Sequence, residues 1–300
     1  MAISRGQLVK ELEPGLNALF GLEYNNYANE HAEIFDTENS DRAFEEEVML
    51  SGFANAPIKA EGTGVSFDNA QETYTSRYTH ETLALAFAIT EEAIEDNLYD
   101  RLASRYTKAL ARSMANTKQV KAANVLNNAF GTANGGDGKE LCATDHPITA
   151  GTEQNELSTA ADLNETSLEQ SLIDIAAMTD ERGLKIAAKG TKLIIPSALQ
   201  FTAERLMKSS QRVATADNDI NAVVSMGMIP QGYTVNHYLT DTDAFFIKTD
   251  VPNGLKHFVR SPMKTAMEGD FTTGNVRYKA RERYSFGFSD WRGIFGSPGA

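Results

Sequence analysis

The residues able to carry chemistry in this 300-residue chain are five histidines, one cysteine and scattered carboxylates, and their spacing supports little of it. A structural or catalytic metal needs ligands grouped at short, regular intervals, whereas His31, His80, His146, His237 and His257 stand apart. Asp145 and His146 are adjacent, but neighbouring side chains rarely converge on one proton, so adjacency alone does not make a dyad. Cys142 has no second cysteine to pair with and reads as a free, core-like thiol in a chain folded under reducing conditions. The Gly-rich stretch 131–138 is followed by Lys139 and Glu140, so the hydroxyl that would hold a magnesium ion after a phosphate-loop lysine is missing. Asp217-Asn-Asp-Ile-Asn221 opens like a calcium loop, yet Ala222 replaces the turn glycine and Met228 stands where the bidentate glutamate belongs. No nucleophile elbow, zinc-protease helix, CxxC pair or dinucleotide glycine motif is present. The reading is therefore of a chain without catalytic, cofactor-binding or metal-binding residues.

Composition narrows the class further. With 28 basic and 41 acidic residues the net charge is −13, which argues against a groove gripping nucleic-acid phosphates, because that binding is driven by clustered Lys and Arg. No run of ~18 apolar residues is present to span a bilayer, and the first fifteen residues lack the continuous apolar core of a secretion signal. A chain of this length buries roughly three quarters of its unfolded surface and can fold on a hydrophobic core alone.

Residues 30–50 hold eight acids against Arg42, net −7, either a solvated face or a docking strip for a basic partner. Residues 53–80 are rich in Gly, Thr, Asn and Tyr, and Glu61-Gly-Thr-Gly64 is a turn, predicting a hairpin-like excursion with few core residues. Such a ribbon is marginal alone and must lie on something else, which another copy of the chain can provide. Leu83, Leu85, Phe87 and Ile89 alternate with alanines as a strand, and from Thr90, an N-cap followed by Glu91, Glu92, Glu95 and Asp96, the period becomes helical. Ile94, Leu98, Leu102, Tyr106, Leu110 and Met114 carry that helix on for ~40 residues, roughly 60 Å. A mixed α/β block follows, and Asn275–Ser289 alternates once more. Val276, Tyr278, Ala280, Tyr284, Phe286 and Phe288 take one face and Arg277, Lys279, Arg281 and Arg283 the other, with Glu282 breaching the apolar side. That basic stripe is either solvated or paired with the acidic strip, within or between chains.

Three segments then carry a family likeness: EGTGVSFDNAQETYTSRYTHETLALAFAITEEAIEDNLYD (61–100), TADNDINAVVSMGMIPQGYTVNHYLTDTDAFFIKTDVPNGLKHF (215–258) and EGDFTTGNVRYKARERYSFGFSDWRGIFGS (268–297). Together they resemble the Mu-like major head subunit family, the major capsid proteins of tailed phages. The resemblance implies an α+β Hong Kong 97-type capsid fold, with an N-terminal arm over 1–40 and an extended loop over 41–80. A peripheral domain over 81–144 and 265–300 would hold a spine helix at about 90–130, and 145–264 would be the axial domain. It also implies hexamers and pentamers closing an icosahedral shell around double-stranded DNA, without sequence-specific binding and away from any membrane. The shell would assemble in the host cytoplasm and become the virion capsid, with a separate scaffolding protein, because the lead-in is short, a portal, and a possible cement protein. Inter-subunit contact candidates are Glu45, Glu46, Glu47, Lys59, Glu61, Arg77, Tyr78, Arg277, Lys279, Arg281 and Arg283. Some relatives crosslink a loop lysine to a neighbour's asparagine; Lys59 has a suitable place, but no partner Asn or catalytic Glu is identified. The rivals are an encapsulin-like nanocompartment shell and a soluble α/β hydrolase using Asp145 and His146.

Overall fold

Alternating bulky and basic side chains near the carboxyl end require a long, half-buried strand, and that strand is the axis of the fold. The computed structural model describes residues 5–300 except 91, 93–98, 133–134, 213–218 and 271–273. In chain order it contains helix α1 (Arg5–Asn25), strands β1 (Asp36–Asn39), β2 (Phe44–Leu50), β3 (Glu72–Thr79) and β4 (Glu81–Ile89), and helix α2 (Tyr99–Asn127). Strands β5 (His146–Ile148) and β6 (Gly151–Glu153), helix α3 (Glu165–Ala177), strand β7 (Gly190–Ile195), and helices α4 (Gln200–Lys208) and α5 (Ala222–Met226) come next. The chain ends with β8 (Tyr233–Val235), β9 (Phe245–Thr249), β10 (Leu255–Gly269), β11 (Val276–Phe288) and β12 (Ile294–Ser297).

Two four-stranded sheets organise these elements. The first has the order β1-β10-β11-β4, antiparallel except for the parallel pair β1–β10; the second has the order β12-β9-β7-β8. β2 and β3 form a separate two-stranded ribbon. β11 matches the expected strand: Val276, Tyr278, Ala280, Glu282 and Tyr284 are buried, while Arg277, Lys279 and Arg281 are exposed. Leu16 and Phe20 of α1 and Leu110, Ala111 and Met114 of α2 pack against that buried face. A second core, with Leu168, Leu172, Ile175, Leu193, Phe245, Ile247 and Phe295, fills the other sheet and its helices. A third, with Ile34, Leu126, Cys142, Ile194, Phe246 and Ile294, joins the two. Cys142 is buried as expected.

Two elements depart from the sequence reading. Helix α1 has Pro14 inside it, and its weak periodicity hid it; it is held by the apolar face of α2 and the sheet rather than by propensity. β10 runs unbroken for 15 residues across the expected 264/265 boundary; its Pro262 and two register shifts obscured the alternation. The expected acidic first turns at Glu91, Glu95 and Asp96, with Ile94 and Leu98, lie outside the described residues, as does the Asp217-Asn218 start of the calcium-like loop. Asn221 of that loop instead caps α5, its side-chain oxygen accepting from the Val224 N–H at 3.3 Å.

Candidate assembly surfaces

The acidic strip is engaged inside the chain. Glu30 accepts from the His237 ring at 2.7 Å, Glu33 pairs with Lys192 at 3.3 Å, and Asp36 pairs with Lys248 at 3.0 Å. Lys256, nearly buried, takes both Glu38, at 3.0 Å, and Glu47. Burial disfavours that ammonium, but the hydrogen bonds it donates to Glu47 and Glu38 prevail and raise its pKa above the usual lysine value. Glu45 accepts from Ser40 Oγ at 2.7 Å, and Glu46 faces Arg77 at 3.6 Å across the ribbon, where the Arg77 guanidinium also sits 3.9 Å from the Phe44 ring centre. Tyr78 is buried: its ring meets Phe258 edge-on at 4.8 Å, and its hydroxyl bonds Ser289 Oγ, which also bonds Glu47. A side chain at Gly287 would put its Cβ 2.8 Å from the Tyr78 ring, so the absence of one there lets the ribbon lie on the sheet. Glu45, Glu46, Glu47, Arg77 and Tyr78 thus all have work within one copy.

The excursion beyond the ribbon is different. Residues 53–70 form no helix or strand, and all of them are exposed. Ile58 is 100% exposed and Phe67 93%, an arrangement a chain gains nothing from when alone in water. Lys59 and Glu61 lie here, and neither pairs with a charge among the described residues. One tether crosses to the second sheet's unit: Asp68 accepts from the Ala54 N–H at 2.8 Å and meets Arg182 at 3.1 Å. The Ala54 and Asn69 N–H groups, with a smaller push from Arg182, hold the Asp68 carboxyl below its ordinary pKa.

The open face of the first sheet is the third surface. Arg281 lies opposite Lys264 and Arg283 opposite Ser261 on β10, while Ala84, Ala86 and Ala88 of β4 flank the stripe on its other side. Arg277 pairs with Asp270 at 2.5 Å. Among the described residues no carboxylate pairs with Lys264, Lys279, Arg281 or Arg283, and the Nε atoms of Arg260 and Arg283 are buried without a hydrogen-bond partner. The bias is regional: residues 255–300 carry eight basic against four acidic residues, and residues 1–80 carry five against fourteen.

The buried polar groups around His146 bond one another. His146 is fully buried, with Nδ1 2.6 Å from Asp137 and Nε2 3.0 Å from Asn155 Oδ1, and its ring stacks on Trp291 at 4.1 Å. Asp145 instead pairs with Lys139 at 2.5 Å on the surface, so the Asp145–His146 hydrolase arrangement does not form. Asn155 fastens this knot by donating to the carbonyls of Leu141, Trp291 and Ile294. Sequence reasoning missed both Asp137, inside a stretch read as a loop, and Asn155. A cleft of about 290 Å³ opens between Met49–Gly52 and Arg292. Its carboxylates are already bound: Glu181 and Asp290 by Arg292, Asp180 by the N–H groups of Arg182 and Leu184, and Asp250 by the Lys189 N–H.

Residues 72–296 match a family described as phage capsid protein. No curated protein matches the chain in sequence. The fold is shared with a virus-like particle from Pyrococcus furiosus, at 11% identity and a TM-score of 0.55 over 94% of this chain and 97% of that one. The capsid of an empty GTA particle aligns at 13% identity and a TM-score of 0.57, covering 90% of each chain. The capsid of Myoviridae phage XM1 aligns at 10% identity and 0.53, covering 89% of each.

Proposed function

The chain belongs to the phage capsid protein family and is a major capsid protein of the Hong Kong 97-type fold that forms the shell; from that premise we propose how its copies meet and what they enclose. Copies gather as hexamers and pentamers that close an icosahedral shell around double-stranded DNA. Residues 1–40 serve as an arm, 41–80 as the extended loop, 81–144 and 255–300 as the peripheral domain with its spine helix, and 145–254 as the axial domain. Moving the domain limit to 255 keeps β10 whole in one sheet. The excursion at 53–70, with Lys59 and Glu61, reaches a neighbouring copy, while Arg277, Lys279, Arg281 and Arg283 receive acidic groups from another chain. Assembly takes place in the host cytoplasm with a separate scaffolding protein and a portal, and a cement protein is a further partner of the outer surface.

The observation that carries this reading is the fully exposed excursion, with Ile58 and Phe67 in water, on a chain of this family. Contacts that overlap in this way bury large obligate interfaces, on the order of 2,000–5,000 Å². The family assignment is to phage capsid proteins, so the nanocompartment reading is set aside. The test is gel filtration and negative-stain microscopy of purified protein, alone and co-expressed with a candidate scaffolding protein. Closed shells are expected. A discrete small oligomer with no shells under either condition overturns the reading.

A further inference from the structure

Sheet edges are where proteins defend themselves against unwanted pairing, with short strands, charges, prolines or bulges. The first sheet defends one edge and leaves the other open. β1, on one side, has four residues, two of them acidic. β4, on the other, has nine residues, pairs with β11 from Glu81 to Ile89 without a register shift, and has no proline, no glycine and a single charge at its first residue. Among the described residues no backbone group outside β11 bonds to it. Its central residue, Leu85, is 45% exposed. The ribbon strands, by contrast, carry Glu45, Glu46 and Glu47 in β2 and Glu72 and Arg77 in β3.

A matching strand is present in the same molecule. The backbone groups of Gly64–Phe67 have no protein partner among the described residues, and Val65 and Phe67 alternate with Gly64 and Ser66. We propose that the segment around Val65–Phe67 of a second copy adds to the open edge of β4 as a fifth strand of the first sheet. The pattern fits both faces: Val65 and Phe67 fall beside Leu83, Leu85 and Phe87 and cover Leu85, while Ser66 falls beside the alanines. Main-chain hydrogen bonds supply the affinity, and the alternate side chains set the register. The reading rests on the shell proposed above and names where the excursion is received.

Ser66→Pro tests it, because proline removes a main-chain donor that the isolated chain does not use. In shells of the unaltered chain, amides within 81–89 that point away from β11 are expected to exchange more slowly than in the unassembled chain. Ser66→Pro is expected to leave the unassembled chain folded, to lower shell yield about tenfold or more, and to abolish that protection. Ser66→Ala is expected to change neither. Shells whose 81–89 amides stay unprotected overturn the strand addition alone. Protection that survives Ser66→Pro, as in pairing of two β4 edges, or that needs the scaffolding protein bound, overturns it too. A chain that forms no shells at all overturns the shell reading, and with it this one.

Discussion

Lys118 enters the core from α2 and meets three kinds of group there. It lies 3.6 Å from Glu282, only 2% exposed, 5.1 Å from the Tyr284 ring centre, and close enough to His31 and His257 to disfavour their protonation. Burial pushes the Glu282 carboxyl up and Lys118 pulls it back, with Tyr24 donating from α1 at 3.2 Å. Removing one partner of a buried pair leaves an uncompensated charge, so Lys118→Met is expected to cost about 3 kcal/mol in urea unfolding of the unassembled chain. The double change Lys118→Met, Glu282→Leu is expected to recover most of it. The imidazoles set a pH dependence of their own. Burial first, and Lys118 second, lower His31 to about 4 and His257 to about 3. Both rings stay neutral in the fold while the unfolded chain protonates them near 6.5, so their contribution is complete above that pH and is lost as pH falls towards about 4 and about 3. Urea midpoints between pH 7 and 4.5 should fall more steeply for the natural chain than for His31→Gln, and less steeply for Lys118→Met. Glu282 was visible in the sequence as a breach in an alternating pattern. Lys118, its partner, was not, because nothing local to either residue encodes a contact between a helix and a distant strand.

Elements with strong periods were legible and those held by packing were not. β11, the alanine-faced β4 and the described part of the long helix follow from alternation or helical spacing; the excursion is exposed as its lack of core residues predicts, but residues 53–70 form no strands and the ribbon's strands are β2 and β3. α1 and β10 do not, since Pro14 and Pro262 break the local signal while tertiary contacts override it. The ribbon shows how narrowly such contacts are set. Tyr78 lies flat against Gly287, so Gly287→Val is expected to lift the ribbon from the sheet at a cost of about 1–3 kcal/mol. Limited proteolysis within residues 40–80 should then speed up while far-UV circular dichroism of the rest stays unchanged. The assignment of the acidic strip needed the fold, because its acids meet lysines and a histidine from β7, β9, β10 and the turn after β8.

At the scale of the whole molecule, charge is segregated: an acidic leading region of net −9 (5 − 14) and a closing region of net +4 (8 − 4) with an open basic face, of which Arg277 pairs with Asp270 while Lys279, Arg281 and Arg283 meet no carboxylate among the described residues. Contacts between unlike regions of two copies are head-to-tail, the type that builds rings when the rotation closes. Reversing Arg281 and Arg283 to Glu is expected to leave the unassembled chain folded and to suppress shell formation, read by light scattering. Assembly of the natural chain should slow as salt rises, since complementary surface charge acts chiefly on encounter. Unchanged shells from the reversed variant at physiological salt count against that pairing.

The Ala54–Asp68 bond gives the excursion two possible lengths of leash. With Ala54 and Asp68 joined, the thirteen residues between them double back and span at most about 21 Å. With that knot released, the strand ends at Ser51 and Gln71 become the base, and the span grows to about 31 Å. The bonds of this knot are open to solvent, so they yield readily. The Ala54–Asp68 bond therefore limits the reach of the excursion that, in the proposed shell, meets a neighbouring copy. A shell that widens after closing would draw on those ten ångströms of slack, roughly the difference of the two spans, before any strand has to let go.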